Sequence, residues 1–82
     1  MHASRVAHSP RLQQLLAYLT ERGEKGATTR EIVDATGSCA VHSDVAELRA
    51  NGHDISCLYV GATEDKRRIY LYRLRGKRED AA

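Results

Sequence analysis

Basic side chains are concentrated near the C-terminal end of this 82-residue chain. Residues 66–78 carry seven Lys or Arg and no Asp or Glu, whereas residues 1–65 carry six basic and nine acidic residues. Lys and Arg release counterions when they approach a nucleic-acid backbone, so a basic segment on a near-neutral body favours phosphate binding. A solvated, solubilising tail is the alternative. Because Lys66, Arg67 and Arg68 fall between two predicted strands, the pattern favours phosphate binding.

A second group of polar residues is predicted on one face of a helix over residues 39–50. Apolar residues recur there at i, i+4 and i+7, namely Val41, Val45 and Leu48, and predict the buried stripe. The opposite side presents Cys39, Ser43, Ala46 and Ala50, flanked by His42, Glu47 and Arg49. Small side chains let a helix approach base edges, and Arg is the commonest specific partner of guanine. Many solvent-exposed helix faces are equally small and polar, so this face alone decides nothing.

Two further helices are predicted upstream. The first begins at Ser9, a typical N-cap, continues through leucines at helical spacing and ends at Gly23. The second is short: Thr28 followed three residues later by Glu31 is a capping-box pattern, and Gly37 closes the helix. Together with the helix over residues 39–50, these segments predict three helices in succession.

Two β-strands are predicted after the helices, over residues 55–60 and 69–74, because β-branched and aromatic residues alternate there. Residues 61–68 form the polar, basic connection, and Ala27 with Thr28 are candidates for a third, minimal strand. The fold class is therefore α+β, with the hairpin packed on the helices. The predicted core comprises Leu12, Leu15, Leu16, Leu19, Ile32, Val33, Val41, Val45, Leu48, Ile55, Cys57, Ile69 and Leu71. The inward strand face stays open, because Tyr59, Tyr70, Tyr72 and Leu74 are equally suited to close the core.

A chain of 82 residues is long enough for one small domain and no more. We expect a mobile N-terminus over residues 1–8, a domain over residues 9–75 and a disordered tail over residues 76–82. Two cysteines are too few for a disulfide scaffold, so Cys39 and Cys57 are expected to be free thiols. No apolar run approaches the roughly 18 residues of a membrane span, and no signal peptide is apparent. A cytoplasmic location with no membrane partner is expected.

The span from Thr28 to Leu74 resembles a winged helix-turn-helix domain. The string HSDVAELRANGHDI over residues 42–55, followed by YLYRL over residues 70–74, is similar to small helix-turn-helix proteins of bacteriophages and prophages. In that family the Glu-Leu-Arg-x-x-Gly-x-x-Ile segment joins the recognition helix to the first wing strand. The resemblance implies a transcriptional regulator of the bacterial host cytoplasm or nucleoid. It would bind double-stranded DNA with helix 39–50 in the major groove and residues 61–68 on the backbone or in the minor groove.

The expected DNA contacts follow from these two elements. Phosphate contacts are expected from Arg30, Lys66, Arg67 and Arg68, and base contacts from Ser38, Cys39, His42, Ser43 and Arg49. Thr29 joins the phosphate group because it lies at a helix N-terminus, although a simple cap at Thr28 explains part of that pattern. One domain covers few base pairs, so a homodimer or repeated half-sites are expected, although no dimerisation helix is visible.

The sequence raises three other functions. A winged-helix adaptor that binds a host or phage nucleic-acid enzyme remains open, because the first 65 residues are acidic on balance. Zinc is not expected: Cys39 and Cys57 have metal-like spacing with His42 and His53, but a helix of about 12 residues, about 18 Å long, separates the cysteines. An enzyme is not expected either, and no cofactor is, because pairs such as Ser43 with Asp44 arise as often by chance.

Overall fold

The computed structural model describes residues 9–77. The elements in chain order are α1 (Pro10–Arg22), a 3-10 turn (Gly23–Lys25), β1 (Ala27–Thr28), α2 (Thr29–Thr36), α3 (Val41–Ala50), β2 (His53–Ala62) and β3 (Arg68–Lys77). The α+β class and the order of three helices before an antiparallel wing are confirmed, and this layout is compatible with a winged helix. The expected mobile N-terminus and most of the expected tail lie outside the described residues. β3 extends to Lys77, two residues beyond the predicted domain boundary.

The first two helices begin with the predicted caps. The Ser9 hydroxyl accepts a hydrogen bond from the Leu12 amide at 3.3 Å, which satisfies a donor that has no partner inside the helix. At α2 the Thr28 hydroxyl accepts from the Glu31 amide at 3.2 Å, and the Glu31 carboxylate accepts from the Thr28 amide at 2.9 Å. The reciprocal capping box is therefore complete, and it sets where α2 starts.

The third helix begins at Val41, two residues later than predicted. Its N-cap residue is Ala40, and the hydroxyl of Ser38 donates to the buried carboxylate of Asp44 at 2.7 Å. The same hydroxyl accepts from the Ala40 amide at 3.2 Å. Residues 37–40 consequently form an ordered turn between α2 and α3.

The sheet has the strand order β1-β3-β2, and both pairings are antiparallel. The minimal third strand is confirmed, since Ala27 pairs with Tyr72 and Thr28 with Leu71. β2 and β3 are longer than predicted, and the register shifts near Asp54 and again between Tyr59 and Gly61. β3 is therefore the central strand, and β2 lies at the edge of the sheet.

The core lies between the helices and one face of the sheet. It consists of Leu12, Leu15, Leu19, Ala27, Ile32, Val41, Val45, Leu48, Ile55 and Tyr72. The open question of strand face is settled by Tyr72, which is 1% exposed, with Tyr70 and Leu74 packed against the core. Because successive strand residues face opposite sides, Ile69 and Leu71 are turned away and only partly buried.

Five residues that were predicted to lie in the core are not fully buried. One of them is Leu16, which is partly buried and packs against the core. Ile69 and Leu71 lie on the outer face of the sheet, and Cys57 is exposed because it lies on the edge strand. Val33 is 37% exposed, since the short helix α2 buries only Ile32. Sequence spacing identifies which residues share a face, but the packing of the helices decides how far that face is covered.

Gly26 and Gly37 provide a matched pair for testing this packing. Both have left-handed φ values, +69° and +72°, but a Cβ at Gly26 would lie 2.6 Å from the Tyr72 carbonyl oxygen while Gly37 faces open space. Gly37→Ala should cost about 1–2 kcal/mol of unfolding free energy from backbone strain alone. Gly26→Ala should cost about 1–3 kcal/mol more, because β1 must move away from β3 and because the ψ of Gly26, −171°, lies in a region essentially limited to glycine. Urea titrations measure both, and equal losses would contradict the close approach.

The capping box also predicts a pH dependence. The Thr28 amide that donates to the Glu31 carboxylate, together with nearby Arg22, holds the pKa of Glu31 below its ordinary value of 4.5. The ionised carboxylate thus stabilises the fold above pH 4.5, and this contribution is lost as the pH falls through the lower pKa of the folded state. Glu31→Gln should reduce the stability difference between neutral and acidic pH in urea titrations. Glu21→Gln, an exposed change on α1, is the control; equal profiles for Glu31→Gln and wild type would contradict this role.

Candidate nucleic-acid interface

The outward face of α3 is open to solvent. Val41, Val45 and Leu48 are buried as predicted, which leaves Ser43, Ala46 and Ala50 exposed on the other side. Cys39, just before the helix, is also exposed. These side chains are small and uncharged, so a flat ligand surface can approach the helix backbone closely.

The acidic residues of α3 are turned away from that face. Asp44 is 2% exposed and pairs with Arg11 of α1 at 2.9 Å, while Glu47 pairs with the same guanidinium at 2.8 Å. Ser38 is 5% exposed because its hydroxyl is held by Asp44, so this predicted base contact lies inside the fold. Arg11 therefore offsets one of these two negative charges and holds both carboxylates away from the open face of α3.

His42, predicted to contact bases, lies against the sheet. Its Nδ1 is 2.7 Å from the Tyr72 hydroxyl, and its ring meets the Tyr70 and Tyr72 rings edge-on, with centroids 5.4 and 5.9 Å away. Burial raises the pKa of Tyr72 well above its usual range, and the nearby Cys57 thiol acts in the same direction. The hydroxyl thus keeps its proton and can donate it to Nδ1, in which case His42 carries its own proton on Nε2.

Arg49, the other strong donor predicted for bases, joins α3 to β2. Its Nε and Nη2 both donate to the Ile55 carbonyl, at 3.0 and 2.7 Å. Gly52, with a φ of +93°, turns the chain between them. The Glu-Leu-Arg-x-x-Gly-x-x-Ile pattern thus has a structural explanation: Leu48 packs in the core, Gly52 forms the turn and Arg49 fastens the strand to the helix.

The N-terminus of α2 presents one exposed cation. Arg30 forms an exposed i,i+4 ion pair with Asp34 at 3.3 Å, and its side chain is 85% exposed. The hydroxyl oxygen of Thr29 is buried, so this predicted phosphate contact could come only from its backbone. Exposed ion pairs of this kind are weak, and Arg30 is therefore available to a stronger anion.

The wing tip, defined as residues 61–68, is a compact basic turn. Its conformation is set by hydrogen bonds from the Thr63 amide to the Arg67 carbonyl and from the Lys66 amide to the Thr63 carbonyl, both 2.9 Å. Lys66, Arg67 and Arg68 are all exposed. Asp65 pairs with Arg67 at 3.4 Å, and the Thr63 hydroxyl that donates to Asp65 lowers the pKa of this carboxyl. Lys66 and Arg68 thus carry most of the positive charge at the tip.

A row of aromatic rings, which sequence reasoning did not single out, joins α3 to the wing. Tyr72 and Tyr70 contact His42, and Tyr70 meets Tyr59 on the neighbouring strand with ring centroids 5.8 Å apart. Tyr59 is 56% exposed and lines a hollow of about 330 Å³ with Tyr70 and Arg68. The positions of the tyrosines in the sequence could have indicated this row. Tyr70 and Tyr72 lie on the same face of one strand, and antiparallel pairing places Tyr59 opposite Tyr70.

Three structural findings concern metal binding, the cysteines and the membrane. Over residues 9–77 there is no group of three or more His, Cys, Asp or Glu side chains that could hold a metal ion. Cys39 and Cys57 are both free and exposed. Among the helices of the same residues, none is both long and apolar enough to cross a bilayer.

Comparison with known proteins gives no relative for this chain. A scan against protein-family models, a search of curated proteins and a search of solved structures each found no match.

The contact between His42 and Tyr72 can be measured by a double-mutant cycle. Tyr72→Phe removes the hydroxyl and leaves Nδ1 of His42 without this partner, so we expect a loss of about 1 kcal/mol in unfolding free energy. In the His42→Ala background the same change should cost less, giving a coupling energy of about 0.5 kcal/mol or more. Tyr59→Phe, at the exposed end of the row, is the control. Additive losses in urea titrations would contradict a direct interaction.

Proposed function

We propose that this chain is a winged helix-turn-helix protein that binds double-stranded DNA as a small phage- or prophage-type transcriptional regulator. In this proposal α3 enters the major groove and the wing tip lies on the backbone or in the minor groove. The observation that carries the proposal is the open, uncharged outward face of α3 beside a basic hairpin. The proposal is also supported by Asp44 and Glu47, which turn toward Arg11 and so keep their negative charge away from the open face of α3.

The proposed contacts divide by chemistry. Lys66, Arg67 and Arg68 at the wing tip and Arg30 on α2 contact phosphates, which position the protein without reading sequence. Ser43 and Cys39 lie on the open face and contact base edges, with the exposed edge of His42 beside them. Arg49 acts mainly by positioning the wing, because its guanidinium is committed to the Ile55 carbonyl. With so few strong donors on the open face, we expect modest sequence preference and a large electrostatic share of the affinity.

The wing tip provides the first test. Replacing Lys66, Arg67 and Arg68 with Ala should weaken binding to every duplex and flatten the plot of log affinity against log salt by about one unit per lost phosphate contact. Arg67 should contribute least, because Asp65 already pairs with it. Fluorescence anisotropy with a labelled random duplex at several salt concentrations gives both quantities.

Lys25→Ala is the matched control, since Lys25 is an exposed cation in the turn before β1 and remote from the hairpin end. It should leave the salt slope unchanged, whereas Lys66→Ala should lower it. An unchanged slope in the triple variant would remove the wing from the mechanism. A wild-type chain with no duplex binding even at low salt would overturn the proposal and favour the protein-binding adaptor instead.

A further inference from the structure

β2 presents a long free edge. Its ten residues, His53–Ala62, pair with β3 on one side, and in the described part of the chain no strand pairs with the other side. Unpaired amide and carbonyl groups along an edge strand are a template for another strand. The opposite edge of the sheet is formed by β1, which has two residues. The free edge of β2 is therefore the extended pairing surface of this sheet.

The composition of β2 does not protect this edge. Edge strands are commonly guarded by Lys, Pro or other charged residues, but β2 has no Lys, Arg or Pro and its only acidic residue is Asp54. Three successive large apolar residues are exposed instead: Leu58 by 54%, Tyr59 by 56% and Val60 by 49%. The basic residues of the hairpin lie on β3 and at the tip. The edge thus suits a neutral, apolar strand rather than a nucleic acid or an acidic peptide.

Two local features confine the accessible part of the free edge to the middle of β2. At one end the Arg49 guanidinium covers the Ile55 carbonyl. At the other end the register shift between Tyr59 and Gly61 interrupts the regular strand geometry, and irregularities of this kind terminate pairing. The segment between them, residues 56–59, is short, regular and uncharged, and Val60 lies within the shift.

We propose that residues 57–59 pair antiparallel with the same residues of a second copy of this chain, about a two-fold axis at Leu58, joining two three-stranded sheets into one of six strands. The strand is its own complement, since a two-fold axis makes antiparallel pairing of identical strands. Leu58 then meets Leu58 of the second copy. Leu71, which is opposite Leu58 on β3, extends this contact into an apolar cluster of four leucines on the outer face of the joined sheet.

The charge distribution permits this arrangement. In the six-stranded sheet the two β3 strands are three strand spacings apart, about 14 Å, which exceeds the Debye length of about 8 Å at physiological ionic strength. Repulsion between the basic β3 strands is therefore largely screened. The contact area of three residues from each copy is small for a stable complex, so we expect a weak, concentration-dependent dimer.

The dimer would present two copies of α3 related by a two-fold axis, as inverted half-sites require. That consequence rests on the proposed function, but the dimer itself does not. Sedimentation of the full chain without DNA, from low micromolar to near-millimolar concentration, tests the dimer. We expect a reversible monomer–dimer equilibrium. A monomer throughout this range would overturn the inference.

Leu58→Lys is the decisive variant, because it places two like charges against each other at the two-fold axis. We expect the dissociation constant of the dimer to rise by about tenfold or more. Val33→Lys makes the same change at an exposed apolar residue of α2 and should leave the constant unchanged. Far-UV circular dichroism checks that both variants fold. A dimer as tight in Leu58→Lys as in wild type would show that the copies meet elsewhere and overturn the assignment.

A second measurement uses the two thiols. In the proposed register the Cys57 residues of the two copies are diagonal neighbours, about 7–8 Å apart, within the span of a short bis-maleimide. Crosslinked dimer should form in Cys39→Ser, which keeps Cys57, and not in Cys57→Ser, which keeps Cys39. The reverse pattern would contradict the register. A dimer that fails to bind duplex DNA would overturn only the proposed function, and a monomer that binds it would overturn only this inference.

Discussion

The position of α3 is fixed at both of its ends by contacts with the sheet, and the rest of the interface depends on this attachment. Near the first turn, His42 is hydrogen-bonded to the Tyr72 hydroxyl at 2.7 Å. Near the last turn, Arg49 donates twice to the Ile55 carbonyl. Between them Val45 and Leu48 are almost fully buried. Because the same sheet carries the hairpin, these contacts set the distance between the open face of α3 and the basic tip.

The attachment changes how the polar residues of α3 are understood. The two strongest hydrogen-bond donors of α3, His42 and Arg49, hold the helix against the sheet. The two carboxylates of α3 are held by Arg11. What remains outward is a surface of small side chains around Ser43. Such a surface approaches a ligand closely but offers few directional contacts. In the proposed complex with DNA, phosphate charge and groove shape carry much of the recognition, in keeping with the cations at the wing tip.

Local signals in the sequence were sufficient for most of the fold. Ser9, the Thr28–Glu31 pair and Gly37 each act within one helical turn, so their effects can be predicted without knowing the rest of the chain, and the structure places the first two helices accordingly. The start of α3 was predicted two residues too early, because the turn before it is held by the hydrogen bond from Ser38 to Asp44, which forms only once α3 has packed. The strand face also escaped prediction, since alternation gives two equivalent faces and the helices choose between them.

The candidate site was less predictable for the same reason. The open face of α3 follows from helical periodicity alone, so Ser43 and Ala46 were placed outward from the sequence. The contact of His42 with Tyr72 spans thirty positions, and nothing near either residue announces it. The aromatic row likewise depends on the antiparallel register of β2 and β3, which the loop length left undetermined.

The register shift beyond Tyr59 separates two parts of the hairpin that can change independently. Residues on the helix side of the shift include Ile55 and Tyr72, which belong to the core, whereas residues 62–68 are all exposed. Adding or removing pairs of residues at the turn would lengthen or shorten the projecting arm without disturbing the buried contacts. The length of the projecting hairpin can therefore change while the buried scaffold stays the same.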